Sequence, residues 1–479
     1  MPTIIGRRST EIITQRFKAE LLDFTGGLNN TQKDEDIADN ELSDAENYVP
    51  ERPGSKVLRK REGLTSVSNG MGSLDCQLIF QGAHNNYYTT VTTIEDLDNG
   101  NDLDTGLTSS TTWDAATFEN ADIFVNGTEE RVTTDGTNFG DLAGCPPTAN
   151  YIEVHNNFLF AAGHSNNALR WSALGDKDSW SATNELLFSD ANDNITGLAK
   201  FRDVLMVFTE NRFYHVNGFS TTDISVVHSA HEGPGCVSNK SIVVNHFGIF
   251  WWTTQGLAVS RNGTTVDLPM QRKLQATLEN INGAQLALIH GVWSPEHDRV
   301  QFYVPDGSAT RNDTCIYYYY MTDTFYIGTG NGAAMNASFQ GVSSGAPVVY
   351  LGGYNTGNTN EIFTNTGNTD GLSGGAVSIT AFMETKRFAP YGTTALHKGD
   401  SITLKTGPVP TNGNITLITY ADDATSATDT LTLAAVSTDS ENEAVFRRRF
   451  NKLKIRIGDA LATRPRIRGA IVKGSFLND

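Results

Sequence analysis

The sequence predicts an all-β protein: a β-propeller of about six or seven irregular blades, flanked by an extended N-terminal arm and a C-terminal β-sandwich-like domain. Three observations carry this. Short runs of β-branched and aromatic residues are punctuated throughout by Asn-Gly, Asp-Gly, Gly-Gly and Asn-Thr, the vocabulary of strands and tight turns. Those runs recur as loosely similar units of about 35 to 50 residues, each too small to bury both of its faces alone, so repetition around an axis is the natural solution. The pattern then changes at both ends, which sets the expected segments: 1–63 an interface-forming arm, 64–370 the propeller body, and 376–479 a separate β-domain. With 479 residues the chain has room for two to four domains at roughly 150 residues each.

The arm comes first. Residues 1–63 are polar, with little alternation, and read as extended chain. Leu74 to Thr93 opens the repeated series, and Thr117 to Leu142 follows. In the third unit, Tyr151 to Leu174, His155-Asn156-Asn157-Phe158 marks a turn between two strands, and Leu169-Arg170-Trp171-Ser172 forms the next strand. Ile195 to His228 and Ser241 to Leu268 repeat the plan of strand, polar turn, aromatic strand, turn and strand. Ala287 to Gly328 and Val348 to Gly367 are more divergent hairpins. The segment Pro269 to Asn280 alone has helical spacing, through Leu268, Leu274 and Leu278, and its proline suits a first helical turn. After Gly371-Leu372-Ser373-Gly374-Gly375 the strands lengthen, as in Ile415-Thr416-Leu417-Ile418-Thr419-Tyr420, which reads as a sandwich.

Charge divides unevenly along the chain. The net charge is −18, but residues 64–385 carry 12 Lys and Arg against 33 Asp and Glu, whereas residues 386–479 carry 14 against 9. An acidic body repels phosphate and argues against a protein that grips nucleic acid across its main surface. The basic end clusters as Arg447, Arg448, Arg449, Lys452, Lys454 and Arg456, and the alternating run Arg-Phe-Asn-Lys-Leu-Lys-Ile-Arg-Ile places much of this charge on one strand face opposite Leu453, Ile455 and Ile457. Those six residues are the candidate docking surface for an acidic partner, with a solvated sheet face as the alternative.

Motifs for chemistry are weak. Gly341-Val342-Ser343-Ser344-Gly345 has the G-x-S-x-G string but not the helix that a nucleophile elbow needs after its serine. His228 and His231 form no zinc motif, and Asp96, Asp98, Asp102 and Asp104 are out of register with a calcium loop. Cys76, Cys145, Cys236 and Cys315 are too widely spaced for a metal knuckle and read as reduced core thiols. No two carboxylates stand out as a glycosidase pair. Trp251-Trp252 and Tyr317-Tyr318-Tyr319-Tyr320 read as sheet packing, with sugar platforms as the alternative. The expectation is therefore a non-enzyme without catalytic residues, cofactor or metal. No apolar run approaches the ~20 residues that span a bilayer, and no apolar segment of signal-peptide length follows Arg7-Arg8, so synthesis in a cytoplasm is expected.

The most specific text lies in the arm: Asp23-Phe24-Thr25-Gly26-Gly27-Leu28-Asn29-Asn30, Ile37-Ala38-Asp39-Asn40-Glu41-Leu42-Ser43-Asp44-Ala45-Glu46-Asn47, and Leu58-Arg59-Lys60-Arg61-Glu62-Gly63. These stretches, with the unit start Tyr151-Ile152-Glu153-Val154-His155-Asn156-Asn157 and the pair Trp171-Ser172, resemble bacteriophage virion proteins, in particular the tail nozzle or hub of short-tailed phages. The resemblance is specific only in these short stretches. It implies a structural tail protein, made in the host cytoplasm and carried in the virion. By the same resemblance it forms a homo-oligomeric ring, a hexamer, below the portal and its adaptor, where it retains genomic DNA and conducts it out during ejection. Tail fibres or spikes would attach around the ring, and DNA would pass without sequence-specific binding. Two other readings stand beside it: a carbohydrate-binding or receptor-recognition propeller, and a protein-interaction scaffold.

Overall fold

The computed structural model describes residues 15–69, 75–165, 167–188, 193–229, 233–330, 333–354, 360–372, 375–390, 392, 394–408, 413–435 and 438–477. The chain divides into two compact units, one made of the segments up to Lys60 and from Thr380 onward, the other of Arg61–Ile379.

The second unit is a β-propeller of seven sheets. Six follow one another along the chain, each with its strands side by side in sequence order. They run from Leu78 to Asp104, Asp114 to Asp141, Tyr151 to Leu187, Ile195 to Ser229, Val243 to Ser260 and His290 to Thr329. The fifth has three strands plus a single bridge from Val259 to Asp267. The seventh combines Ala334–Ser343, Ala346–Tyr354 and Asn360–Gly367 with Gly63–Asn69 as its fourth strand, so the start of the unit completes its last sheet. This pairing joins residues about 300 apart, as in Asn365 with Leu64.

Tight turns with left-handed backbone set the hairpins. Glu119-Asn120, Asn156-Asn157 and Ser344-Gly345 each place two successive residues at positive φ, the geometry that matches strand twist. Burial then joins each blade to the next. Tyr87 packs edge-on against Phe124 between the first and second blades, and Phe208 meets Trp251 between the fourth and fifth. Trp252, on the opposite face of the same strand, meets Phe302 of the sixth. Phe80 and Phe339 close the circle between the first and seventh. A blade is covered on both faces, so successive aromatics on one strand are both buried; Trp251, Trp252 and all of Tyr317 to Tyr320 lie in the core. Between the fifth and sixth blades sit two short helices, Pro269–Lys273 and Gln275–Asn280, the first with its proline in the opening turn.

The first unit contains two sheets. One orders Ser440–Val445, Leu396–Thr406, Arg466–Leu477, Leu58–Lys60 and Tyr48–Pro50, with Arg16–Leu21 pairing along Arg466–Leu477. The other orders Gly27–Leu28, Glu41–Glu46, Ala381–Thr385, Leu453–Asp459, Gly413–Ala421 and Asp429–Ala435. Here the structure departs from the sequence reading of 1–63 as a separate arm and 376–479 as a self-contained sandwich. Residues 16–60 supply strands to both sheets, and Leu28, Leu42, Tyr48, Val49 and Leu58 are buried. The reason is local polarity: Glu41–Glu46 reads Glu-Leu-Ser-Asp-Ala-Glu, yet it buries Leu42 and Ala45 against a partner more than 300 residues away.

Candidate functional site

The first strand of every blade lines a central channel of about 420 Å³, walled by Gln77 to Phe80, Trp113 to Ala115, Glu153, Leu198 to Lys200, Asn239 to Val244, His290 to Trp293 and Ala337 to Gln340. At one mouth it continues into a cavity of about 490 Å³ that includes Asp75, Tyr151, Lys240 and Arg311.

Two carboxylates on consecutive inner strands do the same work. Asp114 accepts the backbone N–H of Ile152 on the next blade at 3.0 Å, and Glu153 accepts that of Lys200 on the blade after at 3.3 Å. Asn239 completes the belt, donating to Asp114 at 3.1 Å and accepting from Leu198 N–H at 3.1 Å. The other oxygens of both acids take the N–H of the following residue, Ala115 or Val154. Lys240 reaches the Thr111 carbonyl at 3.3 Å.

Burial pushes the Asp114 carboxyl up to about 7, against the backbone and Asn239 donors that favour its charged form. Burial likewise brings the Lys240 ammonium down to about 8, with Cys76 and Asp114 opposing, and raises Glu153. His290, fully buried, is pushed down to about 3; its Nε2–H donates to the Met335 carbonyl at 3.0 Å and its Nδ1 lies 2.7 Å from Ser338 Oγ. Perturbed acids and amines in a cleft are the usual mark of a reaction centre. In this channel, however, the carboxylate oxygens of Asp114 and Glu153 are held by backbone and amide donors that brace adjacent blades. The arrangement can take up or release a proton near neutral pH, and it binds the ring together.

The six basic residues of the candidate docking surface are divided by the fold. Strand Leu453–Asp459 alternates as its sequence predicts, with Leu453, Ile455 and Ile457 buried and Lys454 and Arg456 half-buried on the other face. Lys454 pairs with Glu384 at 2.7 Å and Asp34 at 3.3 Å, and Arg456 pairs with Glu384 at 3.4 Å while its guanidinium stacks over Phe382. Lys452 pairs with Glu35, and Arg448 holds Asp429 through two nitrogens at 2.9 Å. Arg447 and Arg449 are exposed and make no ion pair among the described residues. Four of the six charges are thus engaged within their own unit, two of them by the acidic residues 34 and 35 of the N-terminal segment.

Other sequence candidates fall into structural roles. Ser344-Gly345 is the turn of a hairpin, with strand on both sides. Asp96 receives Asp98 N–H, Asn99 N–H, Asn99 Nδ2 and Asn85 Nδ2, while Asp104 pairs with Arg131. The four cysteines are buried thiols, with burial pushing Cys76 up to about 12 and Cys236 up to about 11. His228 lies on strand Ser225–Ser229, in register with His215, and His231 lies outside the described residues. Among the described residues no group of three or more His, Cys, Asp or Glu is placed to hold a metal ion, and no helix is long and apolar enough to cross a membrane.

Sequence reasoning missed Asp114, Asn239 and Lys240. The available signal was an aromatic followed within two positions by an acid at the start of consecutive units, Trp113-Asp114 and Tyr151-Ile152-Glu153.

No protein-family model matches the chain, and no curated protein matches it. Among solved structures it is similar to the Neurospora crassa Pan2 WD40 domain, with a TM-score of 0.42 and 9% identity over 64% of this chain and 95% of that one. It is also similar to BBS1N in complex with ARL6DN, with a TM-score of 0.43 and 8% identity over 64% of this chain and 97% of that one.

Proposed function

We propose that the chain is a structural component of a phage tail, a nozzle or hub subunit that assembles as a ring below the portal and adaptor, retains the genome and conducts it outward. The observation that carries the reading is where the most distinctive text of the sequence sits. Asn29 Nδ2 and Ala38 N–H both donate to Glu41 at 2.9 Å, and Asn47 donates to the Thr380 carbonyl at 2.8 Å. Lys60 is paired with Asp459 in the first unit; Arg61 with Asp370, and Glu62 with Arg299, lie within the propeller. The stretches that resemble phage tail proteins therefore build framework, as befits a part whose task is assembly. The acidic composition of the propeller segment supports the same reading, since a ring of such subunits repels DNA phosphates and lets the duplex slide. For a glycan-binding role, the aromatic clusters Trp251-Trp252 and Tyr317 to Tyr320 supply no platform, because all six are buried.

Light scattering on the purified chain, alone and mixed with portal-adaptor complexes, tests the proposal. A closed ring, or several copies captured by the adaptor, is the expected result; a monomer indifferent to the adaptor overturns it. Within that reading, exposed Arg447 and Arg449 are the remaining basic contacts of the C-terminal cluster, and reversing both to Glu should impair recruitment without unfolding the chain.

A further inference from the structure

Within the first unit, the side chains of Lys60 and Asp459 are both 0% exposed, and Lys60 Nζ lies 2.5 Å from Asp459 Oδ1. Each atom of a condensation reaction already has a partner there. Lys60 Nζ also faces the Leu461 carbonyl at 2.5 Å, Leu461 N–H donates to Asp459 Oδ1 at 3.0 Å, and the Tyr48 hydroxyl donates to Asp459 Oδ2. We infer that Lys60 and Asp459 become joined by an intramolecular amide bond, an isopeptide cross-link between strands Leu58–Lys60 and Leu453–Asp459.

The chemistry follows from the surroundings. An ammonium and a carboxylate buried away from the solvent surface gain little from remaining charged, and transfer of one proton from Nζ to the carboxylate yields a neutral amine beside a neutral acid. Burial raises the Asp459 carboxyl, which favours that transfer. The amine lone pair then attacks Cγ and a C–N bond forms. The two oxygens of the tetrahedral centre are held by Leu461 N–H and by the Tyr48 hydroxyl, donors fixed in place as charge develops. Burial and the neighbouring Asp459 push the Tyr48 phenol well up, so it stays protonated and remains a donor. A C–O bond breaks, the departing hydroxyl takes a proton from the nitrogen, and one water is lost. No oxidant, metal or cofactor is needed. The product is satisfied as well: its N–H meets the Leu461 carbonyl and its oxygen keeps one of the two donors.

The buried pairs of the propeller differ in the nucleophile. Arg61 with Asp370 and Arg299 with Glu62 are as well enclosed, but a guanidinium does not give up its proton and so supplies no nucleophilic nitrogen. This inference does not depend on the tail-protein reading.

The test is the mass of the denatured full-length chain beside that of a Lys60→Arg variant prepared identically. The wild type is expected to be lighter by one water than the substitution alone explains, and chymotryptic digestion should release a branched peptide containing both Lys60 and Asp459. In an Asp459→Asn variant the same attack would expel ammonia. A wild-type mass equal to that of the uncross-linked chain after prolonged incubation overturns the inference. So does a lost water traced to a linear peptide, which would mark a cyclic imide at Asp459-Ala460.

Discussion

Arg299 is fully buried, donates to Glu62 at 2.6 Å and to the Tyr319 hydroxyl at 3.0 Å, and lies over the Tyr317 ring at 4.4 Å. Glu62 is shared with His297 at 3.0 Å. Removing one member of such a group leaves an uncompensated charge, so Arg299→Met should lower unfolding free energy by about 3–5 kcal/mol. Urea denaturation should also show that adding Glu62→Gln costs far less than the two single losses summed. His290 gives a different signature. Its folded pKa is about 3 against an ordinary 6.5, so the unfolded chain binds the extra proton, and stability is present above pH 6.5 and lost as pH falls towards 3. The loss should reach on the order of 4 kcal/mol and be absent in His290→Asn, as read from unfolding midpoints across that range. Asp114 has the opposite sign: its folded pKa of about 7 exceeds the ordinary 3.8, so its contribution is complete below 3.8 and declines as pH rises to 7. Comparing Asp114→Asn with the wild type over that interval isolates the term. His290 could not be chosen from sequence, because it acquires its environment only when strands from different blades meet at the axis; for Asp114 the one local sign was the aromatic before it, Trp113.

At the scale of elements, the strand Gly63–Asn69 closes the propeller by pairing with Asn360–Gly367. Leu64 is buried, and its N–H donates to Asp370 Oδ1 at 3.1 Å. Leu64→Pro removes that donor and distorts the ladder, and should destabilise the propeller by about 3 kcal/mol or more. Hydrogen exchange should show protection lost first in the seventh blade and in its neighbour, the first. Blades were legible where the code is local. Asn156-Asn157 announces a hairpin, Pro269 announces a helix start, and the alternation from Leu453 to Ile457 declares its buried face. The closing strand was not legible, since nothing within Gly63–Asn69 names a partner about 300 residues on. Nor was the strand role of Glu41–Glu46, whose two apolar side chains are embedded in acidic text.

For the whole molecule, the propeller is contained between Lys60 and Thr380, inside the sequence of the other unit. Both its closing strand and its blade-to-blade core belong to residues 61–379. That fragment should therefore fold alone, with a cooperative thermal transition and the near-ultraviolet dichroism of packed aromatics. Residues 380–479 should not. Without residues 15–60 the strands Ala381–Thr385 and Arg466–Leu477 each lose a hydrogen-bonded neighbour and expose apolar side chains. Adding a peptide of residues 15–60 should restore soluble, folded protein, and gel filtration of the mixture reads the result directly.

The interrupted layout also sets a timetable on the ribosome. Residues 16–60 emerge with only their own short pairings to make, and synthesis then produces a complete propeller before the strands from Ala381 onward that finish their two sheets are made. The closing strand leads the propeller and its mate comes near the end, so closure can precede release of the nascent chain. Leu28 can pair early with Leu42, and Tyr48–Pro50 with Leu58–Lys60, but the apolar faces of these strands stay uncovered until the strands after Thr380 arrive, and that interval is when the newborn chain is most exposed to premature association with its siblings.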